Sequence, residues 1–173
     1  MILYVKGKSQ VSEGIAIYAD KSFPVVLGRN GVIATSAKRE GDGCTPLGTY
    51  KVLYGLYRPD RVQLTAVEKS HLCWLPIGDD LGWCDAPTDP AYNSIVPVGY
   101  AASHEVMMRE DSAYDRVLVI SHNMPAVPNM GSAVFIHQLH PGKAATAGCI
   151  ALAPSDMQAV VAAGITAIEI SSL

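Results

Sequence analysis

The stretch Phe135-Ile-His137-Gln-Leu-His140-Pro-Gly142, continued by Thr146-Ala-Gly148-Cys149-Ile-Ala-Leu152, holds the densest set of reactive groups in the chain. A branched, apolar run ends at His137, a Pro/Gly-containing loop follows, and Cys149 emerges directly after Gly148, ahead of further apolar residues. Thiolate is the reactive form of cysteine, so a cysteine nucleophile needs a base close enough to take its proton. His137 is the natural base, because imidazole titrates in the useful range. Gly148 removes a side chain where a substrate carbonyl would approach, and the N–H groups of Gly148 and Cys149 are the expected oxyanion donors. The bland alternative stays open at this level. A cysteine among small apolar residues is commonly a buried core thiol, and a histidine at a strand end is commonly structural.

Around this segment the chain punctuates like β structure. Ile15–Tyr18, Phe23–Leu27, Thr49–Tyr54, Arg116–Ile120 and Ala133–Ile136 are short runs rich in branched and aromatic residues. Gly28, Gly31, Asp42-Gly43, Pro46-Leu-Gly48, Pro128-Asn129 and Gly131 separate them as turns. Two helices are expected. One spans Ser103–Arg109, with Ser103 as N-cap and Glu105 in its first turn; the other spans Pro154–Ala163, capped by Ser155 and stopped by Gly164. A last strand, Ala167–Ile170, returns to the sheet. Between Tyr57 and Tyr100 lies a long irregular stretch rich in Pro, Asp, Trp and Cys. It reads equally as a functional cover or as a surface insertion with its own aromatic cluster.

Composition bounds the function. The 173 residues carry a net charge of −3, and 49% of them are apolar while 17% are charged. That composition supports a single buried-core domain over residues 1–173 and excludes a disordered, solvating chain. No basic excess exists to neutralise phosphates, so no nucleic-acid partner is expected. The longest apolar run, Ala159 to Ile168, falls short of the ~20 residues of a transmembrane segment. Met1–Lys8 does not read as a secretion signal, having no apolar core of adequate length and no small-residue cleavage site. Either the protein is cytoplasmic or the sequence begins after processing.

The pattern Ile136-His137, loop, Thr146-Ala-Gly148-Cys149-Ile150 resembles the active-site signature of the L,D-transpeptidase catalytic domain (YkuD-like; also called ErfK/YbiS/YcfS/YnhG). That family carries a His, a variable loop and then Ser/Thr-His-Gly-Cys. Gly28-Arg-Asn-Gly31, Lys38-Arg-Glu-Gly-Asp-Gly43, Thr45-Pro-Leu-Gly-Thr49, Gly82-Trp-Cys-Asp85, Tyr92-Asn93, Tyr114-Asp115 and Gly131-Ser132 extend the likeness over most of the chain, in order. The resemblance implies a mainly β fold, the L,D-transpeptidase (YkuD-like) β-sandwich, here with one or two short helices and a long loop insertion. It implies an enzyme of peptidoglycan stem peptides that requires no metal or organic cofactor. Cys149 would attack the carbonyl joining the third residue to D-alanine, His137 would be the base, and Gly148 and Cys149 would form the oxyanion hole. Thr146 would shape the loop. Transfer to an amine makes a 3→3 cross-link; transfer to water makes a carboxypeptidase. Carbapenem-type inhibitors would acylate the same thiol. The substrate places the enzyme in the cell envelope or periplasm.

The sequence departs from the family pattern in three places. Ala147 replaces a second histidine, Ala151 stands where many members have Arg or Asn, and the His137–Cys149 interval is short, which brings in His140 as a secondary candidate. Arg39 is a further candidate, able to meet a stem-peptide carboxylate bidentately, ahead of Arg29 and Arg58; the alternative for Lys38–Gly43 is a solvated charged turn. Trp83 and Tyr92 line the cleft or else fill a small aromatic core, and His122 stands at a strand end within possible reach of the site. A zinc site from His137, His140, Cys149 and His122 is the rival chemistry, without the spacing such sites use. A cell-wall cysteine amidase or carboxypeptidase using water, and a non-catalytic wall-binding module, are the rival functions. The remaining cysteines, Cys44, Cys73 and Cys84, have undecided roles, and Cys73 and Cys84 pair only if their Cα atoms come within ~7 Å.

Overall fold

A computed structural model describes residues 1–173. In chain order its elements are β1 (Ile2–Lys8), β2 (Val11–Tyr18), β3 (Lys21–Val26), β4 (Val32–Ile33), β5 (Thr45–Pro46), β6 (Gly48–Tyr57) and α1 (Ala66–His71). There follow β7 (Trp74–Pro76), β8 (Leu81–Cys84), β9 (Ile95–Pro97), β10 (His104–Val106), β11 (Arg116–Ile120), β12 (Phe135–Gln138), β13 (Ile150–Leu152), α2 (Pro154–Ala162) and β14 (Ala167–Ser172). The fold is mainly β and of the sandwich type, as expected. Its principal ladder runs β11-β12-β13-β3-β2-β1-β14-β6-β7, and an additional pairing of β11 with β6 brings the ladder round on itself. Closure leaves few unpaired edges to template aggregation.

Strand alternation explains where the cores sit. On β1 the odd positions Leu3 and Val5 are fully buried while Tyr4, Lys6 and Lys8 are exposed, the period-2 pattern of a sheet with one face inward. On β11, Leu118 and Ile120 point into a main core of 19 buried residues; Val117 and Val119 point the other way, into a second cluster of ten. Both faces of β11 are therefore buried, and its sequence Arg116-Val-Leu-Val-Ile120 is a continuous apolar run after the first residue. Helix α2 closes one end of the main core with Met157, Val160 and Val161.

The stretch from Tyr57 to Tyr100 turns out to be structured. Helix α1 carries a complete capping box: Thr65 Oγ1 accepts from the Glu68 N–H, and Glu68 accepts from the Thr65 N–H. A three-stranded sheet, β10-β8-β9, folds over the outer face of β11 and β12 and buries Trp83, Ile77 and Met107 there. The aromatic-cluster reading of this insertion is thus correct, and the insertion also forms part of the cavity described below.

Three local expectations are corrected. Ser103–Arg109 is no helix: His104–Val106 is β10, paired antiparallel with β8 through Glu105↔Trp83. A short segment gains too little from helical bonds to resist such a pairing. Helix α2 is not capped by Ser155; its N-cap is Ala153, and Pro154 sets the first turn with its fixed φ and missing N–H. The strand expected from Ala133 starts at Phe135, since Ala133 adopts φ +50°, outside extended backbone. Strand β1 was not foreseen, although its alternation is clear. All four cysteines are free thiols, Cys73 exposed and Cys84 buried, so these two do not pair.

Candidate active site

Alternation on β12 sends Ile136 into the main core and places Phe135 and His137 on the opposite face. Parallel pairing of β12 with β13 sets Ile136 beside Ile150 and His137 beside Ala151. Cys149, one residue ahead of β13, therefore comes abreast of Phe135, and His137 lies two residues farther along the same face, about 7 Å at strand rise. The hydrogen bonds agree with that register. The Phe135 N–H donates to Cys149 Sγ (3.4 Å), and the thiol donates to the Ala133 carbonyl (3.0 Å). His137 Nδ1 lies 2.8 Å from the Gln138 carbonyl, and the tautomer that donates there has its lone pair on Nε2. The His137 ring stands edge-on to Tyr114 at 5.3 Å.

Cys149 and His137 line one cavity of about 370 Å³ without a direct hydrogen bond between them. Burial governs both. It pushes the thiol up to about 12, only partly opposed by the Phe135 N–H. It holds His137 down at about 4. The resting pair is a neutral thiol and a neutral imidazole.

Thr146 organises the turn before Cys149. Its hydroxyl donates to the Cys149 carbonyl (2.8 Å) and accepts from the Gly148 N–H (3.1 Å). Its backbone is held in turn by Leu27 and Arg29, through Thr146 N–H to Leu27 O and Arg29 N–H to Thr146 O, both 2.9 Å. Gly148 has φ +147°, and a Cβ there would meet the Cys44 carbonyl at 2.9 Å, so this position requires glycine. These contacts set the resting state of the two expected oxyanion donors. Gly148 N–H already has an acceptor in Thr146, whereas Cys149 N–H has no partner in the protein.

Charge surrounds the thiol. Arg109 lines the cavity and makes two bonds to Asp111, at 2.8 and 2.6 Å, with its guanidinium 5.2 Å from the Tyr114 ring centroid. Glu105 accepts from the Tyr114 hydroxyl at 2.8 Å, and burial raises its carboxyl above the usual range. Asp85, Glu40 and Lys38 also face the cavity. His140 reaches the wall as well, its Nδ1 buried and without a partner.

Three expected substrate contacts lie elsewhere. Trp83 is 1% exposed, packed edge-on at 4.8 Å against Phe135 in the second core, beneath the cavity rather than on its wall. Tyr92 is buried and donates to Glu40, whose carboxylate also accepts from Ser132. Arg39 is exposed and off the cavity wall, with its Nη1 donating to the carbonyls of Ser36 and Lys38. Lys38–Gly43 is not a solvated turn either: Lys38 is 3% exposed, and Asp42 accepts from Lys38 Nζ and from the N–H groups of Arg39 and Cys44. Nor does the structure assemble the zinc set, for no three His, Cys, Asp or Glu side chains gather in metal-binding geometry.

Asn93 was quoted only as part of a likeness, yet it holds the site together. Its Oδ1 accepts from Trp83 Nε1 and from the Ala133 N–H, and its Nδ2 donates to the carbonyls of His122 and Asn123, all at 3.1 Å. Asn93 thereby fixes Ala133, whose carbonyl accepts a hydrogen bond from the Cys149 thiol. No local sequence signal marks this role, because the four partners are brought to Asn93 only by the fold.

The mainly β sandwich thus presents a glycine-preceded cysteine and a strand-end histidine to one polar cavity. The model of the YkuD family, described as the L,D-transpeptidase catalytic domain, matches residues 3–163. The chain belongs to that family. No curated protein matches it.

Proposed function

We propose that this chain is a cysteine L,D-transpeptidase acting on peptidoglycan stem peptides, through one catalytic domain. The observation that carries the reading is the register that sets Cys149 and His137 on one face of adjoining strands, opening into one cavity, in a chain of this family. Cys149 Sγ attacks the carbonyl between the third stem residue and D-alanine, and His137 Nε2 takes the thiol proton in the same step. The C–N bond then breaks, D-alanine leaves with that proton on its amine, and a thioacyl-enzyme remains. An acceptor amine attacks the thioester, gives its proton to His137, and restores the thiol. No hydrogen bond joins the resting thiol to the imidazole, so the ring turns or a water bridges when His137 takes the proton. Thr146 positions the turn, and His140 is the second candidate for proton transfer.

Water in place of the amine gives an L,D-carboxypeptidase from the same acyl-enzyme. Family membership points to work at the cell envelope, and no helix is long and apolar enough to cross a membrane. Incubation with tetrapeptide muropeptides tests the reading. Cross-linked dimers with free D-alanine are expected; loss of D-alanine alone would establish hydrolysis. A carbapenem adduct on the intact protein, lost in Cys149→Ala, is expected alongside. Neither product nor adduct would favour a non-catalytic wall-binding module.

A further inference from the structure

We propose that Lys38 is a catalytic residue, its ammonium forming the charged arm of the oxyanion hole beside the Cys149 N–H. The proposal rests on the acyl-transfer reading and adds to it a group that the reading does not need.

The geometry has four parts. Lys38 is 3% exposed yet lines the cavity that holds Cys149. Its ammonium makes two hydrogen bonds, to Asp42 Oδ1 at 2.6 Å and to the Arg39 carbonyl at 2.8 Å, and the third N–H has no protein acceptor. A Cβ on Gly148 would stand 4.0 Å from Nζ, so the ammonium faces the glycine that precedes the nucleophile. The Gly148 N–H is taken by Thr146, whereas the Cys149 N–H has no protein acceptor.

A tetrahedral intermediate places a full negative charge on the former carbonyl oxygen. One neutral N–H is a weak counterpart for it in a buried site, and a fixed cation is a strong one. Lys38 is also held before the substrate arrives. Asp42 anchors its charge, and Gly131 gives its stem room, since a Cβ there would lie 3.1 Å from Lys38 Cε. No reorganisation is required when the oxyanion forms, which is the condition for efficient electrostatic stabilisation.

The test compares two reactions of the same thiol. Acylation by a carbapenem passes through an oxyanion; alkylation by iodoacetamide does not. In Lys38→Gln the second-order acylation rate is expected to fall by about 10²–10³-fold. The alkylation rate of Cys149 at the same pH should stay within about threefold. Where Lys38→Gln does not fold, Lys38→Met/Asp42→Asn removes both charges of the pair and carries the same comparison. Unchanged acylation overturns the role of the lysine. An equal fall in both reactions overturns it too, because the lysine would then act on the thiol or on packing. Failure of the unmutated protein to form an acyl-enzyme with either carbapenem or tetrapeptide overturns the assigned activity instead, and the role of Lys38 with it.

Discussion

The 19 buried residues inside the closed sheet include no acid or base other than the Tyr50 phenol, whereas the ten beneath the insertion include the Cys149 thiol and the Tyr114 phenol. Around the second cluster run Asn93, His137 and Glu105, each tied to backbone or to an aromatic hydroxyl. Strands β11 and β12 serve both, with one face in each. The contrast separates two jobs. The first cluster is apolar apart from Tyr50, whose hydroxyl donates to the Leu47 carbonyl and whose ring meets His122 edge-on. The second forgoes some of the stabilisation of apolar burial, because it keeps polar groups dry and positioned for chemistry.

The largest expected effect breaks chemistry without breaking the fold. Cys149→Ser keeps an atom that can donate to Ala133, and should lower acyl-enzyme formation by about 10³-fold or more while Tm stays close to that of the unmutated protein. Acylation within tenfold of the parent would remove the thiol from the mechanism. Next is Leu118→Ala, in the main core. It should cost about 2–5 kcal/mol in urea unfolding, yet leave acylation per folded molecule unchanged.

Asn93→Ala should blur the two jobs. It strands Trp83 Nε1, the Ala133 N–H and two carbonyls, and it puts alanine at φ +58°. A loss of about 2–4 kcal/mol is expected, together with slower acylation per folded molecule. Stability loss with intact acylation would show that Ala133 needs no clamp.

A smaller effect follows from protons. His137 and His122 are both buried, and burial holds each near 4, against an ordinary value of 6.5. Between pH 6.5 and 4 the unfolded chain binds more protons than the folded one, so stability falls as pH drops. The slope approaches about 1.4 kcal/mol per pH unit for each histidine and flattens below pH 4. Urea midpoints across this range should show it, and His122→Gln should remove about half of the histidine share. The smallest effect contrasts two thiols. Exposed Cys73 should react with iodoacetamide first at pH 7, while Cys149, pushed up to about 12, should gain reactivity steadily as pH rises. Peptide mapping of the alkylated sites would show the order.

Much of this was legible in the residues. Alternation and turn chemistry located the strands β2, β3, β6, β11 and β14, and Pro154 to Gly164 located α2, because these signals act over a few neighbouring positions. The capping box Thr65-Ala-Val-Glu68 was equally local and marks α1, though it lay hidden within a stretch dominated by Pro and Asp. Segment 103–109 misled for the opposite reason: its helix signals were local, and a long-range ladder with β8 outweighed them.

The sequence by itself determined the nucleophile and base candidates, since Cys149 after Gly148 and His137 at a strand end are patterns of adjacent residues. It determined the β class as well, through a period of two. Only the tertiary structure decided which charges surround the thiol. Trp83, Tyr92 and Arg39 went to packing and backbone bonds, while Lys38, Arg109 and Glu105 came to the cavity. Those outcomes depend on which polar groups burial leaves without a partner, and that balance is settled only when segments distant in the chain are brought together.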